Sequence, residues 1–204
     1  MSLTFYFAPM STASTVHWSL EELGIPYEAV KVDLKDPADK LKKLGPVNPN
    51  MKVPVLVHDG TVVFESAAIQ AYLGETFGVE KGLFPAAGRA RGDALKWLVW
   101  ANVSLGEAAG RWQRHVGEFY PAEQRNAAAG AAARKDLDQL IGIFEKELGD
   151  KSYVLGQGIS LVDFHLGSFF QWVTFMGVDL TPFPKTKAWF ERCTARPALA
   201  RTMG

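Results

Sequence analysis

Lys52–Ser66, with the sequence KVPVLVHDGTVVFES, is the stretch that decides the fold. Two short runs rich in β-branched residues flank Asp59-Gly60, a dipeptide that is among the strongest signals for a two-residue hairpin turn. Pro54 cannot donate a hydrogen bond to a sheet, so it is expected to open the first strand. Ser66 directly precedes a helical apolar pattern and is placed to cap a helix. A strand edge, a turn and a helix start together are able to hold an extended peptide by its backbone and its carboxylate.

Composition limits the class of protein. The chain has 204 residues, enough for one domain or two small ones, and 48% of them are hydrophobic, enough for a sizeable core. Basic and acidic residues number 22 each, so no basic excess favours a nucleic-acid partner. Cys193 is the only cysteine, which excludes an intrachain disulfide, and the four histidines are scattered without metal-ligand spacing. We see no signal peptide and no apolar run of about 20 residues, so we expect a cytoplasmic protein without a metal or a membrane segment.

The first third of the chain alternates between strand and helix patterns. Leu3–Phe7 and Glu28–Val32 are predicted strands, and Thr12–Leu23 between them is a predicted helix that ends at Gly24. A helical crossover joins parallel strands, so these two strands are expected to lie parallel. A short irregular helix, the hairpin and a further helix follow, which gives the order β-α-β-α-β-β-α.

The remainder of the chain carries helical patterns only. Residues 79–88 combine glycines, a proline and charges, and they are predicted to link a domain at 1–78 to an all-helical domain at 89–204. Within the second domain, Ser160 to Asp163 has the form of a capping box at the start of an apolar helix. The predicted fold class is therefore α+β, with a mixed domain followed by a helical one.

Three segments carry a resemblance to a known family. They are SLEELGIPYEAVKVDL at 19–34, NPNMKVPVL at 48–56 followed by FESAAIQAYL at 64–73, and SLVDFHLGSFF at 160–170. Over essentially its full length the chain resembles the cytosolic glutathione S-transferase family, as a bacterial-type member whose subfamily is open. The resemblance implies a thioredoxin-like N-terminal domain, an all-α C-terminal domain, a homodimer and a detoxifying transferase activity.

The resemblance implies that the opening stretch binds glutathione. A cis Val53-Pro54 bond is implied, which would turn the N–H and C=O of Val53 outward to pair with the cysteinyl backbone. Ser66, at a helix N-terminus where the dipole favours an anion, would meet the γ-glutamyl carboxylate, and Glu65 would face the ammonium. Lys52 would meet the glycyl carboxylate. A plain helix cap at Glu65-Ser66 and a solvated Lys52 are the alternatives.

The implied reaction needs the thiol of glutathione as a thiolate, because a free thiol with a pKa near 8.5 is only a few per cent ionised at neutral pH. Lowering that pKa by about two units takes roughly 2.7 kcal/mol, most of which one charge-assisted hydrogen bond of about 1.5–3 kcal/mol supplies. The donor is expected between the first strand and the first helix, where Ser11, Tyr6 and Thr12 are the candidates. Ser11 or Thr12 as a mere helix cap, and Tyr6 as a core aromatic residue, are the alternatives. Cysteine-type members would carry their cysteine at Thr12, so cysteine chemistry is not expected.

An electrophile pocket is expected over this loop, against the first long helix of the second domain. Met10, Arg111 and Trp112 are its candidate residues. Asn102 also lies on the apolar face of that helix, so it needs a polar partner, either glutathione or a neighbouring backbone group.

The expected substrates are glutathione, as a co-substrate, and a small hydrophobic electrophile. No other cofactor, no nucleic acid and no membrane is expected. Two alternatives stay open on the same fold: a non-catalytic glutathione-binding or interaction module, and a glutathione-dependent peroxidase activity. A thiol reductase that forms a mixed disulfide is disfavoured, because the loop lacks a cysteine.

Overall fold

A four-stranded sheet forms the centre of the N-terminal half. The structure, a computed structural model, describes residues 2–117, 120–156 and 158–202. The strands are β1 (Leu3–Phe7), β2 (Glu28–Lys31), β3 (Val55–His58) and β4 (Thr61–Phe64). Their order is β2-β1-β3-β4, with β1 and β2 parallel and the other two pairs antiparallel. The predicted parallel pair and the predicted hairpin around Asp59-Gly60 are both confirmed.

Three helices belong to this half: α1 (Ala13–Leu23), α2 (Pro37–Leu44) and α3 (Ser66–Leu73), the last extended by a π-helical turn at Gly74–Gly78. α1 ends as predicted at Gly24, whose φ of 59° lies in the left-handed region that glycine adopts without a steric penalty. Together with the sheet these helices form the thioredoxin-like arrangement that the sequence resemblance implies.

The regular elements among the described residues after 88 are helices, apart from one isolated bridge between Tyr153 and Gly156. The helices are α4 (Arg89–Trp100), a π-helical turn (Ala101–Leu105), α5 (Gly106–Val116), a short 3₁₀ turn (Ala122–Gln124), α6 (Ala127–Leu148), α7 (Leu161–Phe175), α8 (Pro184–Thr194) and α9 (Pro197–Arg201). Pro197 is the first residue of α9, a position that proline favours because its missing N–H has no intrahelical acceptor there. No helix in the described part of the chain is long and apolar enough to cross a membrane.

The two halves pack against each other through helices. Trp18 of α1 is fully buried, with its ring centroid 5.3 Å from that of Phe164 in α7. The segment at 79–88 packs against the first half of the chain. Its Phe84 lies so close to Gly74 that a Cβ on Gly74 would be 2.4 Å from the Phe84 ring. The main-chain N–H of Leu161 also donates to the carbonyl of Leu83 at 2.9 Å. The predicted linker is therefore a packed connection.

The capping box predicted before α7 is present. The buried carboxylate of Asp163 accepts hydrogen bonds from the main-chain N–H and the hydroxyl of Ser160 at 2.8 and 2.7 Å. It also accepts one from the N–H of Val154 and one from Nε1 of Trp189, both at 2.8 Å. Asp163 thus ties the start of α7 to a loop and to α8, which is the folding role expected for it.

The apolar pattern of α4 divides between two faces. Leu98 is buried in the core, whereas Leu95, Val99 and Val103 are 38%, 53% and 67% exposed. The last three lie four residues apart, so they form one row along the outside of the helix. The sequence pattern did not separate this outer row from the buried one.

Candidate functional site

Val53 and Pro54 lie where the chain enters β3, and the peptide bond between them is cis, as the resemblance implied. Val53 lies outside the strands, and neither its N–H nor its C=O takes part in a main-chain hydrogen bond among the described residues. These two groups are therefore available to an extended ligand that adds alongside the strand.

The loop before Val53 is held by Asn48, a buried residue that the sequence reasoning missed. Its Nδ2 donates to the carbonyl of Lys52 at 2.7 Å, and its Oδ1 accepts from the N–H of Asn50 at 2.9 Å. An Asn-Pro pair favours turn initiation, which is the signal that was available in the sequence. The side chain of Lys52 is exposed and forms no ion pair with any described residue.

The start of α3 differs by one residue from the prediction. Glu65 is the N-cap and Ser66 is the first helical residue, so Ser66 does not cap the helix. Glu65 has φ 72° and ψ 118°, and no side-chain hydrogen bond caps the helix. A left-handed backbone at a non-glycine residue costs about 1–3 kcal/mol. The first N–H groups of α3 have no intrahelical acceptor and, with the helix dipole, favour an anion.

Ser66 is linked to the helical domain by two hydrogen bonds in series. Nδ2 of Asn102 donates to the Ser66 hydroxyl oxygen at 2.8 Å, and Oδ1 of Asn102 lies 2.8 Å from Nε2 of His165. The partners of Asn102 among the described residues are therefore two side chains, and not the neighbouring backbone group that was one of the two expectations. Ser66 is 2% exposed and His165 is fully buried.

His165 is the second residue that the sequence did not indicate, because a single histidine in an apolar helix has no ligand spacing that would mark it. Burial lowers the pKa of His165 to about 3, so its ring is neutral at physiological pH. The carbonyl of Leu98 opposes this shift in part, although it does not reach hydrogen-bond geometry to Nδ1. Since Oδ1 of Asn102 only accepts, Nε2 of His165 must carry the proton.

The loop between β1 and α1 holds two of the three candidate thiol donors. The Ser11 hydroxyl donates to the carbonyl of Ala8 at 2.7 Å and accepts from the N–H of Ala13 at 3.2 Å. Ser11 thus caps the first turn of α1 through its side chain. Thr12 occupies the N-cap position and is exposed, and its hydroxyl makes no hydrogen bond with the described residues.

Tyr6, the third candidate donor, lies within β1, where it pairs with Val30 and Val55. Phe5 and Phe7 stack on the opposite face of the strand, with ring centroids 5.6 Å apart. The Tyr6 side chain is half-buried and its hydroxyl has no partner in the described part of the chain. The alternation expected for this strand is therefore present.

The four candidates for an electrophile pocket differ in exposure and in the partners that they contact. Met10 is 75% exposed on the loop, with φ 54°. Arg111 donates to Glu107 at 2.7 Å and to Asp136 of α6 at 2.9 Å. Trp112 is buried, and the guanidinium of Arg134 in α6 lies 5.1 Å from the centre of its ring. Charge pairing and a cation–π contact therefore direct Arg111 and Trp112 toward α6, and Asn102 is engaged with Ser66 and His165.

A cleft of about 780 Å³ opens beside the loop, at the carboxyl ends of the parallel strands β1 and β2. Ala8 and Pro9 form one wall, and residues 31–36 with Asp39 and Lys43 form the other. The cleft is not lined by Val53, Glu65 or Ser66. It therefore lies next to the loop between β1 and α1, which is called the loop side of the site. Among the described residues, no group of three or more His, Cys, Asp or Glu side chains is placed to hold a metal ion.

The chain is similar to known proteins over nearly its whole length. Residues 9–76 match the family model for the glutathione S-transferase N-terminal domain, and residues 108–197 match that for the C-terminal domain. Glutathione S-transferase U28 of Arabidopsis thaliana is 30% identical over 98% of this chain and 87% of its own length. Glutathione S-transferase GstB of Escherichia coli (strain K12) is 31% identical over 91% of this chain and 89% of its own. A solved glutathione transferase from Methylococcus capsulatus str. Bath is similar with a TM-score of 0.84 and 27% identity, covering 98% of this chain and 97% of that one.

Proposed function

The chain belongs to the glutathione S-transferase family, and we propose that it conjugates glutathione to a small hydrophobic electrophile by thiolate attack. The observation that carries the proposal is the pairing of two open binding groups. They are the unpaired main chain of Val53, directly before Pro54, and the N-terminus of α3 at Glu65-Ser66. One suits the middle of an extended peptide and the other suits its carboxylate.

Each part of glutathione has a complementary group in this arrangement. The N–H and C=O of Val53 pair with the cysteinyl backbone, and the first N–H groups of α3 with the Ser66 hydroxyl bind the γ-glutamyl carboxylate. The carboxylate of Glu65 faces the ammonium. The exposed Lys52 meets the glycyl carboxylate as a point charge, which gives a salt-dependent contribution.

Ser11 is the proposed donor to the thiolate, with Thr12 and Tyr6 as the alternatives. The Ser11 hydroxyl now donates to the neutral carbonyl of Ala8. A hydrogen bond to a charged acceptor contributes about 1.5–3 kcal/mol, against about 0.5–1.5 kcal/mol for a neutral one, so a thiolate within reach would draw the hydroxyl away. The bond from Ala13 N–H to the Ser11 oxygen supports this, because a hydroxyl that accepts a hydrogen bond is a better donor.

The electrophile is proposed to bind on the loop side, where Met10 is exposed and the cleft opens. Asn102 contributes to the proposed glutathione site, because it donates a hydrogen bond to Ser66. Arg111 and Trp112 take no part in this proposal, because their contacts are with α6.

A cytoplasmic homodimer is the proposed form of the protein. The exposed row Leu95, Val99 and Val103 and the 40% exposed Val62 offer apolar surface to a second copy of the chain. The single cysteine, Cys193, is buried, which suits the compartment where glutathione is kept reduced.

Retention on immobilised glutathione, followed by a conjugation assay with a chloronitroaromatic compound, tests the proposed function. Elution by free glutathione and formation of the conjugate are expected. Retention without turnover would favour a binding module, and turnover of peroxides alone would favour the peroxidase alternative. No retention would refute glutathione as the substrate.

A further inference from the structure

The hydroxyl of Ser66 is buried with only one of its hydrogen-bonding roles filled. Its oxygen accepts from Nδ2 of Asn102 at 2.8 Å. No acceptor for its own proton is found among the described residues, although Ser66 is only 2% exposed. A buried donor without an acceptor is costly, so this proton is available to a ligand that fits the start of α3.

His165, at the other end of the hydrogen-bonded series, determines where the Ser66 proton points. His165 is neutral, and Oδ1 of Asn102 only accepts, so Nε2 of His165 donates to it across 2.8 Å. The amide of Asn102 then presents Nδ2 to the Ser66 oxygen. With that lone pair occupied by Asn102, the Ser66 hydroxyl is left to act as a donor.

Packing holds the two supporting side chains in place. Asn102 lies in the π-helical turn Ala101–Leu105, a local widening that often occurs at functional positions. The ring of Phe169, one turn after His165, meets the imidazole edge-on with centroids 5.3 Å apart. Phe169 in turn packs on Gly106, where a Cβ would lie 2.6 Å from the ring. The imidazole therefore has a fixed orientation toward Asn102.

We propose that Asn102 and His165 are positioning residues that set the Ser66 hydroxyl as a donor to the γ-glutamyl carboxylate of glutathione. This inference rests on the proposed function, which assigns the γ-glutamyl carboxylate to Ser66, and it adds the two residues that orient the Ser66 hydroxyl. The helical domain thereby determines the polarity of an anion site that belongs to the thioredoxin-like domain. A hydroxyl that presents its proton favours a carboxylate at Ser66 over the ammonium of the γ-glutamyl group, because an ammonium has no acceptor.

The test compares two ligands by calorimetry on the full-length protein. One is glutathione, and the other is 4-aminobutanoyl-cysteinyl-glycine, which lacks only the γ-glutamyl α-carboxylate. The variants are Asn102→Ala, His165→Phe and His165→Gln, with Ser104→Ala as the matched control in the same π-helical turn. Glutamine keeps an N–H donor at position 165, whereas phenylalanine keeps the ring volume without one.

The wild-type protein is expected to bind glutathione more tightly than the analogue. Asn102→Ala and His165→Phe are expected to weaken glutathione binding by about 10- to 100-fold, the equivalent of one hydrogen bond to a charged group. Binding of the analogue is expected to stay unchanged in both variants. His165→Gln is expected to restore most of the affinity, and Ser104→Ala to behave as wild type.

Equal weakening of both ligands would mean that these residues act only on the fold, and it would overturn the inference. A gain in glutathione affinity on Asn102→Ala would mean that the Ser66 proton points to Asn102, which would also overturn it. If His165→Phe does not fold, Asn102→Ala alone decides, because Asn102 is only partly buried. If the wild-type protein binds neither peptide, the proposed function itself fails; if it binds both equally, only the assignment of the carboxylate to Ser66 fails.

Discussion

Arg196 and Glu22 form a two-pronged ion pair that joins the segment between α8 and α9 to α1. The Nε and Nη2 atoms of Arg196 donate to the two carboxylate oxygens of Glu22 at 2.5 and 2.6 Å. The Glu22 side chain is only 5% exposed, and it also accepts a hydrogen bond of 3.3 Å from Nε1 of Trp18. The last turns of the chain are thereby fixed to the helix that begins at the proposed thiol-activating loop.

Arg196→Ala is expected to lower the free energy of unfolding by about 2–4 kcal/mol, because it leaves the buried carboxylate of Glu22 without its partner. Lys187→Ala in α8 is the matched control, since its exposed pair with Glu191 at 4.0 Å contributes little. Urea unfolding measures both variants. Equal stability of the two would contradict this role for the Glu22 pair.

Ser11→Ala is expected to raise the pKa of the bound glutathione thiol by about one to two pH units, because it removes a charge-assisted hydrogen bond. Conjugation at neutral pH is expected to fall about tenfold. The rate falls by less than the thiolate fraction does, because a thiolate of higher pKa is a stronger nucleophile. Thiolate absorbance followed against pH is the measurement. Thr12→Ala and Tyr6→Phe are the comparison variants, and a larger rise in either one would transfer the donor role to that residue.

Glu65→Gly is expected to be more stable than Glu65→Ala by about 1 kcal/mol, because glycine adopts the φ of 72° at this position without strain. Both variants lack the carboxylate that we propose faces the ammonium, so both are expected to bind glutathione several-fold more weakly. Thermal unfolding and calorimetry separate the two effects. Wild-type affinity in both variants would remove Glu65 from the binding site.

Acid is expected to destabilise the protein through His165. In the unfolded chain this histidine takes up a proton near its ordinary pKa of 6.5, whereas in the folded protein its pKa is about 3. The unfolded state therefore binds more protons between these values, so stability falls as the pH drops from 7. At pH 5 this contribution is about 2 kcal/mol. Unfolding of wild type and His165→Phe at both pH values isolates it, and parallel losses would show that His165 is not responsible.

Val99→Glu and Val103→Glu are expected to weaken the proposed homodimer, because each places a charge in an apolar contact between two copies. Val116→Glu is the control, since Val116 is also exposed, at 46%, but lies outside the row on α4. Analytical ultracentrifugation measures the dissociation constants. A wild-type monomer at micromolar concentration would refute the dimer, and unchanged association of both variants would place the interface elsewhere.

Local chemistry in the sequence determined most of the fold. Three local features depend only on residues close to one another in the chain, so the sequence predicts them without the tertiary structure. They are the Asp59-Gly60 turn, the left-handed Gly24 and the capping box at Asp163. The same holds for the strand opening at Pro54. The local elements of the same stretch indicated only a site for an extended peptide, and the family resemblance implied that this peptide is glutathione.

Tertiary structure alone decided which polar side chains meet. Asn102 had a foreseeable need for a partner, but Ser66 and His165 reach it from two other helices, and no periodicity encodes that contact. The exposure of Val99 likewise depends on which helices pack against α4, because an apolar row has the same sequence signature whether it is covered by this chain or left for a second copy. The positions of Ser66 and Val53 follow from local chain geometry, whereas the polarity of the site follows from contacts between residues distant in the chain.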